Sequence, residues 1–105
     1  AFKSEVLAAG EGATQLTLKE LAPVRLIKNP FYERVAEAYT RGASTDELRE
    51  LLGRGRAKKG MREGDLVEGE LEIGQVASRI DTLRPAADIV RETAELCALT
   101  LKRLC

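Results

Sequence analysis

Very few side chains in this sequence have the type and spacing that catalysis requires. The 105 residues include no histidine, so an imidazole base, a Ser-His or Cys-His pair and a histidine-containing zinc site are all excluded. The only two cysteines, Cys97 and Cys105, cannot make a four-thiolate metal site. None of the 17 acidic residues is distinguished by its neighbours as an acid or a base. We therefore predict no catalytic residue and no metal ligand, and we expect this segment to be inactive by itself.

The two cysteines lie in a segment with the pattern of a helix. At a rise of about 1.5 Å per residue, their Cα atoms would be roughly 12 Å apart, whereas a disulfide requires about 7 Å or less. We expect both thiols to be free. With no disulfide framework, no signal-peptide pattern and no long apolar stretch, the sequence favours a reducing, cytoplasmic setting.

A basic run at residues 54–62 could contact phosphate groups, as clusters of lysine and arginine do in nucleic-acid-binding proteins. An acidic run at 63–72 follows it directly, the chain has zero formal net charge, and no aromatic residue within the basic run could stack on a base. The dinucleotide-binding pattern G-x-G-x-x-G is also incomplete, because Lys58 stands where its third glycine belongs. The sequence therefore predicts neither a nucleic-acid nor a membrane partner.

The most distinctive local sequence is GDLVEGELEIGQV, at residues 64–76. Its regularly spaced glycines indicate a backbone that approaches a neighbouring group closely. Gly74 and Gln75, at the start of a predicted helix, would place free N–H groups and an amide side chain at one point. The residues alone leave two interpretations open, which are a turn before a helix and a contact with a ligand.

The elements that must position these residues fit one small domain. A chain of 105 residues is far too short for a complete eight-fold β/α barrel, which needs about 250. Helix caps at Asn29 and Ser44 predict helices over 30–40 and 45–52, and Gly53 ends the second. The other predicted elements are a helix at 2–9, a strand at 13–18, an extended connection at 24–27, short turns at 54–61, a short strand at 70–73 and a helix at 75–80.

A long final helix is predicted from Pro85 to about Leu104. One side of this helix is continuously apolar and must be covered by something. A non-enzymatic helical module that binds a protein partner through this face is one hypothesis that the pattern supports. The residues of the face are Ile89, Val90, Thr93, Leu96, Cys97, Leu101 and Leu104.

Two stretches together resemble a known family. These are PVRLIKN at 23–29 and EGELEIGQ at 68–75, and the likeness extends in order over about residues 2–94. The sequence resembles the C-terminal third of the FMN-dependent nitronate monooxygenases, formerly called 2-nitropropane dioxygenases, a family that includes the FMN-dependent enoyl-acyl-carrier-protein reductases. The resemblance implies an FMN-binding (β/α)8 barrel with a small domain that is inserted late in the chain and closes over the flavin.

By this resemblance the chain is α+β and mostly helical. Residues 1–12 would end the preceding barrel element, 13–73 would form the small substrate-covering domain, and 74–105 would return to the barrel and form its C-terminal helix. The implied partners are the remainder of the parent barrel and a small-molecule substrate, and a homo-oligomer is compatible with the family. The implied reaction is the oxidative denitrification of alkyl nitronates, with enoyl-acyl-carrier-protein reduction as the alternative.

The resemblance also implies which residues meet the cofactor. Gly74 and Gln75 match the family's Gly-Gln step, which faces the FMN at the domain junction, and Ile73 precedes them. The implied roles are close backbone approach at Gly74, a polar contact from Gln75 and shape from Ile73. Most of the FMN site would be formed by parts of the parent protein outside this segment.

Overall fold

The computed structural model describes all 105 residues. About half of them, 53%, are helical, and the only sheet has two strands. The elements in chain order are α1 Phe2–Ala8, β1 Thr14–Thr17, β2 Val24–Ile27, α2 Pro30–Thr40, α3 Thr45–Leu52, α4 Arg56–Met61, a 3₁₀ helix Gln75–Arg79 and α5 Ala86–Leu104.

The predicted starts of α2 and α3 are confirmed. The side-chain oxygen of Asn29 accepts a hydrogen bond from the N–H of Tyr32 at 2.9 Å, and Pro30 occupies the first helical position. The hydroxyl of Ser44 accepts from the N–H of Glu47 at 3.2 Å. In both helices a polar side chain thus satisfies one of the N–H groups that the first turn leaves without a partner.

The strand β2 lies between two extended neighbours. On one side it pairs antiparallel with β1, with Thr14 opposite Ile27. On the other side the N–H of Ile27 donates to the carbonyl of Leu71 at 2.9 Å, and the N–H of Ile73 donates to the carbonyl of Arg25 at 3.2 Å. The segment predicted as a short strand at 70–73 therefore does run along β2, although it forms only an isolated bridge.

One prediction in the second half of the chain needs correction. Residues 75–79 form a 3₁₀ helix and not an α-helix. The short 3₁₀ helix is compatible with its position, since α1 packs against it and Ala77 is fully buried there.

Two hydrophobic clusters form the core, and β2 separates them. Because successive strand residues point to opposite faces, Leu26 belongs to one cluster and Ile27 to the other. The first cluster contains Leu18, Leu26, Phe31, Val35, Ala38 and Leu48. The second contains Val6, Ile27, Leu71 and Ala77.

The final helix α5 has no buried residue. Its apolar side chains are exposed, and the molecule measures 52 Å along its longest axis. No helix here combines the length and the hydropathy that crossing a bilayer requires. The large hydrophobic residues exposed on α5 are Ile89, Val90, Leu96, Leu99, Leu101 and Leu104.

Candidate functional site

Nothing within this chain requires a glycine at the first position of the Gly-Gln step. Gly74 has φ −76° and ψ 169°, a conformation that any residue adopts. A Cβ atom placed on it would meet no other atom within 4 Å. Because neither backbone strain nor internal packing requires glycine here, the position leaves room for an outside group to approach the main chain.

Gln75 is exposed, and its side-chain amide has no hydrogen-bond partner within the chain. Only its main-chain carbonyl is engaged, accepting a hydrogen bond from the hydroxyl of Ser78 at 3.3 Å. The backbone N–H groups of Gln75 and Val76 also lack backbone partners. The structure therefore places free N–H groups and a free amide at this step, as the sequence predicts.

Ile73, the third predicted site residue, is held more firmly than its neighbours. It is partly buried and packs against the second core cluster. Its N–H is bonded to the carbonyl of Arg25 in β2. Ile73 therefore anchors the segment, and Gly74 and Gln75 are displayed immediately after the anchored residue.

Asn29 connects the two stretches that carry the family resemblance. Besides capping α2, it donates through Nδ2 to the carbonyls of Leu66 and Gly69, both at 2.9 Å. The N–H of Phe31 adds a bond to the carbonyl of Val67 at 3.0 Å. Sequence reasoning identified only the capping role, because the other partners lie 37 and 40 positions away.

The other glycines of the 64–76 segment have internal explanations. Gly69 is buried against Gly60 of α4, and a Cβ atom on Gly69 would overlap the backbone of Gly60 and the carbonyl of Asp65. Gly64 has φ +81°, a conformation that favours glycine. The close backbone approach that the sequence indicates is therefore made within the chain, between Gly69 and Gly60. Of the three glycines in this segment, Gly74 is the one whose surroundings leave room for a ligand.

Arg56, within the basic run, is an internal cross-link. Its guanidinium donates to the carbonyl of Leu52 at 2.7 Å, to that of Leu51 at 2.9 Å and to that of Glu68 at 2.7 Å. It also lies 4.3 Å from the centre of the Phe31 ring. These contacts satisfy the last carbonyls of α3 and bring a cation over an aromatic face. The sequence gives no local signal for this role.

The two lysines of the basic run face the acidic run. Lys58 lies 3.6 Å from Glu63, and Lys59 lies 3.8 Å from Asp65. The Asp65 carboxylate also accepts hydrogen bonds from the N–H groups of Glu68 and Val67, and these bonds, the one from Glu68 first, lower its pKa. The two runs therefore neutralise each other locally and form a folded turn.

Glu70 is a buried carboxyl group that the sequence did not distinguish. It is 8% exposed, and burial raises its pKa, with the nearby charge of Glu72 adding to the effect and that of Arg56 opposing it. It lines neither of the two cavities described below, so we assign it no role in binding.

One of the surface cavities includes a residue of the Gly-Gln step, and a larger one does not. The larger, of about 400 Å³, lies between β1 and α2, where the hydroxyl of Tyr39 donates to Glu20 and lowers the pKa of that carboxyl. The smaller, of about 270 Å³, includes Gln75 and has no hydrophobic residue in its wall. Its lining residues are Gly10, Glu11, Gly12, Thr14, Arg25, Gln75 and Ser78.

Comparison with solved structures relates this architecture to a known enzyme. No protein-family model matches the sequence, and no curated protein matches it either. The structure of FabK from Thermotoga maritima, in contrast, superimposes with a TM-score of 0.81 at 26% sequence identity. The match covers 98% of this chain and 32% of the FabK chain.

A second structure, a single-residue mutant of the same enzyme, gives a consistent result. Its TM-score is 0.74 at 23% identity, with 98% of this chain and 30% of that chain covered. The chain thus spans about a third of the length of the enzyme that it resembles, and its mostly helical fold corresponds to one part of FabK.

Proposed function

We propose that this chain is the C-terminal part of an FMN-dependent oxidoreductase of the enoyl-acyl-carrier-protein reductase type. The observation that carries the proposal is the match of 98% of the chain to FabK, an FMN-dependent enoyl-acyl-carrier-protein reductase. Nitronate monooxygenase activity, the first implication of the sequence resemblance, has less support, since the structural neighbour is the reductase.

The bare face of α5 supports the same proposal. None of the 19 residues of α5 is buried, and a broad apolar helix face is stable in water only when another element covers it. In a β/α barrel the helices pack on the outside of the strands. The remainder of the parent barrel is a cover of the appropriate kind for this helix.

The residues at the Gly-Gln step fit the edge of a flavin site. Gly74 offers open backbone, and Gln75 offers an amide without an internal partner. We propose that Gly74 allows close approach, that Gln75 donates to or accepts from a polar edge, and that Ile73 fixes the position of both. When bound, FMN supplies the redox chemistry, and the protein provides orientation and excludes water.

Residues 13–73 serve, in this proposal, as the cover of the substrate site. Their own core is closed by Phe31 and Leu48, each almost completely buried. The cross-links made by Arg56 and Asn29 hold the segment before the Gly-Gln step against this core. A rigid cover of this kind would exclude water from the reacting atoms when it closes.

The test uses the natural full-length polypeptide that contains these residues. We expect the purified protein to show a flavin absorption band and to oxidise NAD(P)H in the presence of an enoyl thioester. Oxygen consumption with an alkyl nitronate would support the monooxygenase branch in place of the reductase. A colourless protein that cannot be reconstituted with FMN would overturn the proposal and favour the protein-interaction module.

Matched variants localise the flavin contact. We expect Gln75→Ala to weaken FMN retention by about fivefold or more, a loss that corresponds to roughly one hydrogen bond. Gln15→Ala, at an exposed position of β1, is the control and should retain FMN like the wild type. Equal retention by both variants would remove Gln75 from the site.

A further inference from the structure

We propose that the polar cavity beside Gln75 binds the phosphate group of a small-molecule ligand, with Arg25 as the charged contact. This inference extends the proposed function, because Gln75 contributes to both sites. It concerns a different group from the flavin ring, and it identifies a binding residue that the sequence did not indicate.

Arg25 carries the argument because its charge is not neutralised. Its side chain is half-buried in the cavity wall, where Nη1 donates to the carbonyl of Thr14 at 3.3 Å and to its hydroxyl at 3.2 Å. No carboxylate lies within 4.0 Å of it, and Nε and Nη2 have no partner in the chain. In Arg56, by contrast, Nε, Nη1 and Nη2 all donate to backbone carbonyls, so no donor nitrogen is left free.

A half-buried guanidinium with free donors is suited to a phosphate. Its planar fork can bond two phosphate oxygens at once, and charge-assisted hydrogen bonds of this kind are about twice as strong as neutral ones. Because Arg25 lies on β2 and its side chain is fixed by Thr14, little conformational freedom is lost when an anion binds.

The neutral groups of the cavity suit the same ligand. The hydroxyl of Thr14 and the amide of Gln75 line the cavity, and no hydrophobic side chain is present. A phosphate group requires several donors around it, and these two groups supply donors in addition to the guanidinium, since the Thr14 hydroxyl only accepts from Arg25 and keeps its own hydrogen free. The cavity volume of about 270 Å³ accommodates a phosphate group but only the end of a larger ligand.

Glu11 gives the proposal a second, opposite test. It lines the cavity and is exposed, but it does not pair with Arg25. Its negative charge must weaken the binding of any anion there. Removing the charge of Arg25 and removing that of Glu11 should therefore change phosphate affinity in opposite directions, which a general loss of structure cannot do.

The experiment is calorimetric titration of the full-length polypeptide with inorganic phosphate at low ionic strength. We expect Arg25→Gln to weaken binding at least tenfold and Glu11→Gln to strengthen it about two- to fivefold. Arg25→Lys, which keeps the charge, should retain part of the affinity. Arg41→Gln, at an exposed arginine without an ion pair outside the cavity, is the control and should bind like the wild type.

Steady-state kinetics distinguish the sources of the phosphate. A raised KM of Arg25→Gln for a pyridine nucleotide, with unchanged kcat, identifies the nucleotide. A raised KM for the carrier-linked thioester identifies the phosphodiester of the carrier, and an effect on inorganic phosphate alone identifies the free ion. Equal phosphate binding by Arg25→Gln and wild type would overturn the proposal. The thermal midpoints of the two proteins show whether the variant is folded. The titration does not depend on flavin, so its outcome is separate from that of the proposed function.

Discussion

Single residues hold this small domain together by contacts across long stretches of chain. Arg56 ties the end of α3 to the segment that contains Glu68, and Asn29 ties the start of α2 to Gly69. These hydrogen bonds supplement a small hydrophobic core, since a chain of this size buries only about two-thirds of its unfolded surface. The residues before the Gly-Gln step are therefore fixed by hydrogen bonds as much as by packing.

Substitution of the glycines should separate internal packing from ligand contact. We expect Gly69→Ala to destabilise the protein by about 1–3 kcal/mol or more, because the new methyl group overlaps the backbone of Gly60. Gly74→Ala should leave stability unchanged or raise it by up to about 1 kcal/mol, because its backbone already has an ordinary conformation. Denaturant unfolding measures both, and equal destabilisation would show that Gly74 is also packed.

Burial of Glu70 should make stability depend on pH. Because its pKa is raised in the folded state above its ordinary value of 4.5, the folded protein binds more protons than the unfolded chain just above that pH. Stability then falls as the pH rises from about 4.5 through the raised pKa. We expect Glu70→Gln to have a higher thermal midpoint than the wild type at pH 7 and nearly the same midpoint at pH 4.

The control for this measurement is Glu50→Gln, at an exposed position of α3. It should shift the midpoint little at either pH, because an exposed carboxylate is equally solvated in both states. If Glu70→Gln were no more stable than the wild type at pH 7, burial of this carboxyl would not be costing the protein stability.

Among the elements, β2 has the central position. It pairs with β1 on one edge and with residues 71–73 on the other, and its two faces belong to the two core clusters. A four-residue strand can have this position because β-strand side chains alternate between faces. Among the helices, α2 and α3 contribute to the first cluster and α1 and the 3₁₀ helix to the second, whereas α4 and α5 contribute to neither.

The exposure of α5 predicts a contrast between two leucine substitutions in the 105-residue chain. We expect Leu48→Ala in α3, where the side chain is 1% exposed, to cost about 2–5 kcal/mol. Leu101→Ala in α5, where the side chain is 57% exposed, should change stability by less than about 0.5 kcal/mol. Chemical denaturation measures both in the same buffer.

The same pair should behave differently in the full-length polypeptide. If α5 packs on a barrel there, Leu101→Ala should become destabilising by about 2 kcal/mol or more, because the side chain is then buried. An unchanged stability of Leu101→Ala in the full-length polypeptide would mean that this face of α5 remains open to solvent.

At the scale of the whole molecule, the two elements that flank residues 13–73, α1 and the 3₁₀ helix, pack against each other. Val6 of α1 and Ala77 of the 3₁₀ helix share the second core cluster with Ile27 and Leu71. An inserted domain must leave and re-enter its parent at neighbouring points, and the contact between α1 and the 3₁₀ helix is consistent with the proposal that residues 13–73 are such a domain. The division at residues 12 and 73 remains a prediction, since this cluster contains residues from all three proposed parts.

The segment between the 3₁₀ helix and α5 should be the first site of proteolysis in the 105-residue chain. Residues 79–84 are exposed and belong to neither core cluster, so the backbone there can open to a protease at little cost. We expect trypsin to cut after Arg79 first, which mass spectrometry of a time course would detect; the bond after Arg84 is protected, because trypsin does not cleave before proline and Pro85 follows. Cleavage in α2 at the same rate would show that the domain has no stable core.

Local sequence determined the elements whose stability comes from nearby residues. The caps at Asn29 and Ser44 act on N–H groups three positions away, so the starts of α2 and α3 can be read from the chain. The free thiols of Cys97 and Cys105 follow from helix geometry in the same way. The apolar face of α5 also follows from the spacing of its own residues, whereas its exposure is a property of the tertiary structure.

Only the tertiary structure decided which charged and glycine residues face inward. Arg56 lies in a glycine-rich basic run and Arg25 in an apolar strand, yet the donors of Arg56 are all bonded within the fold and Arg25 faces a polar cavity with free donors. A side chain at position 69 would overlap the backbone of Gly60, whereas a Cβ atom at position 74 would meet no other atom within 4 Å. These outcomes depend on contacts between residues far apart in the sequence, and local spacing carries no information about where such partners come to lie after folding.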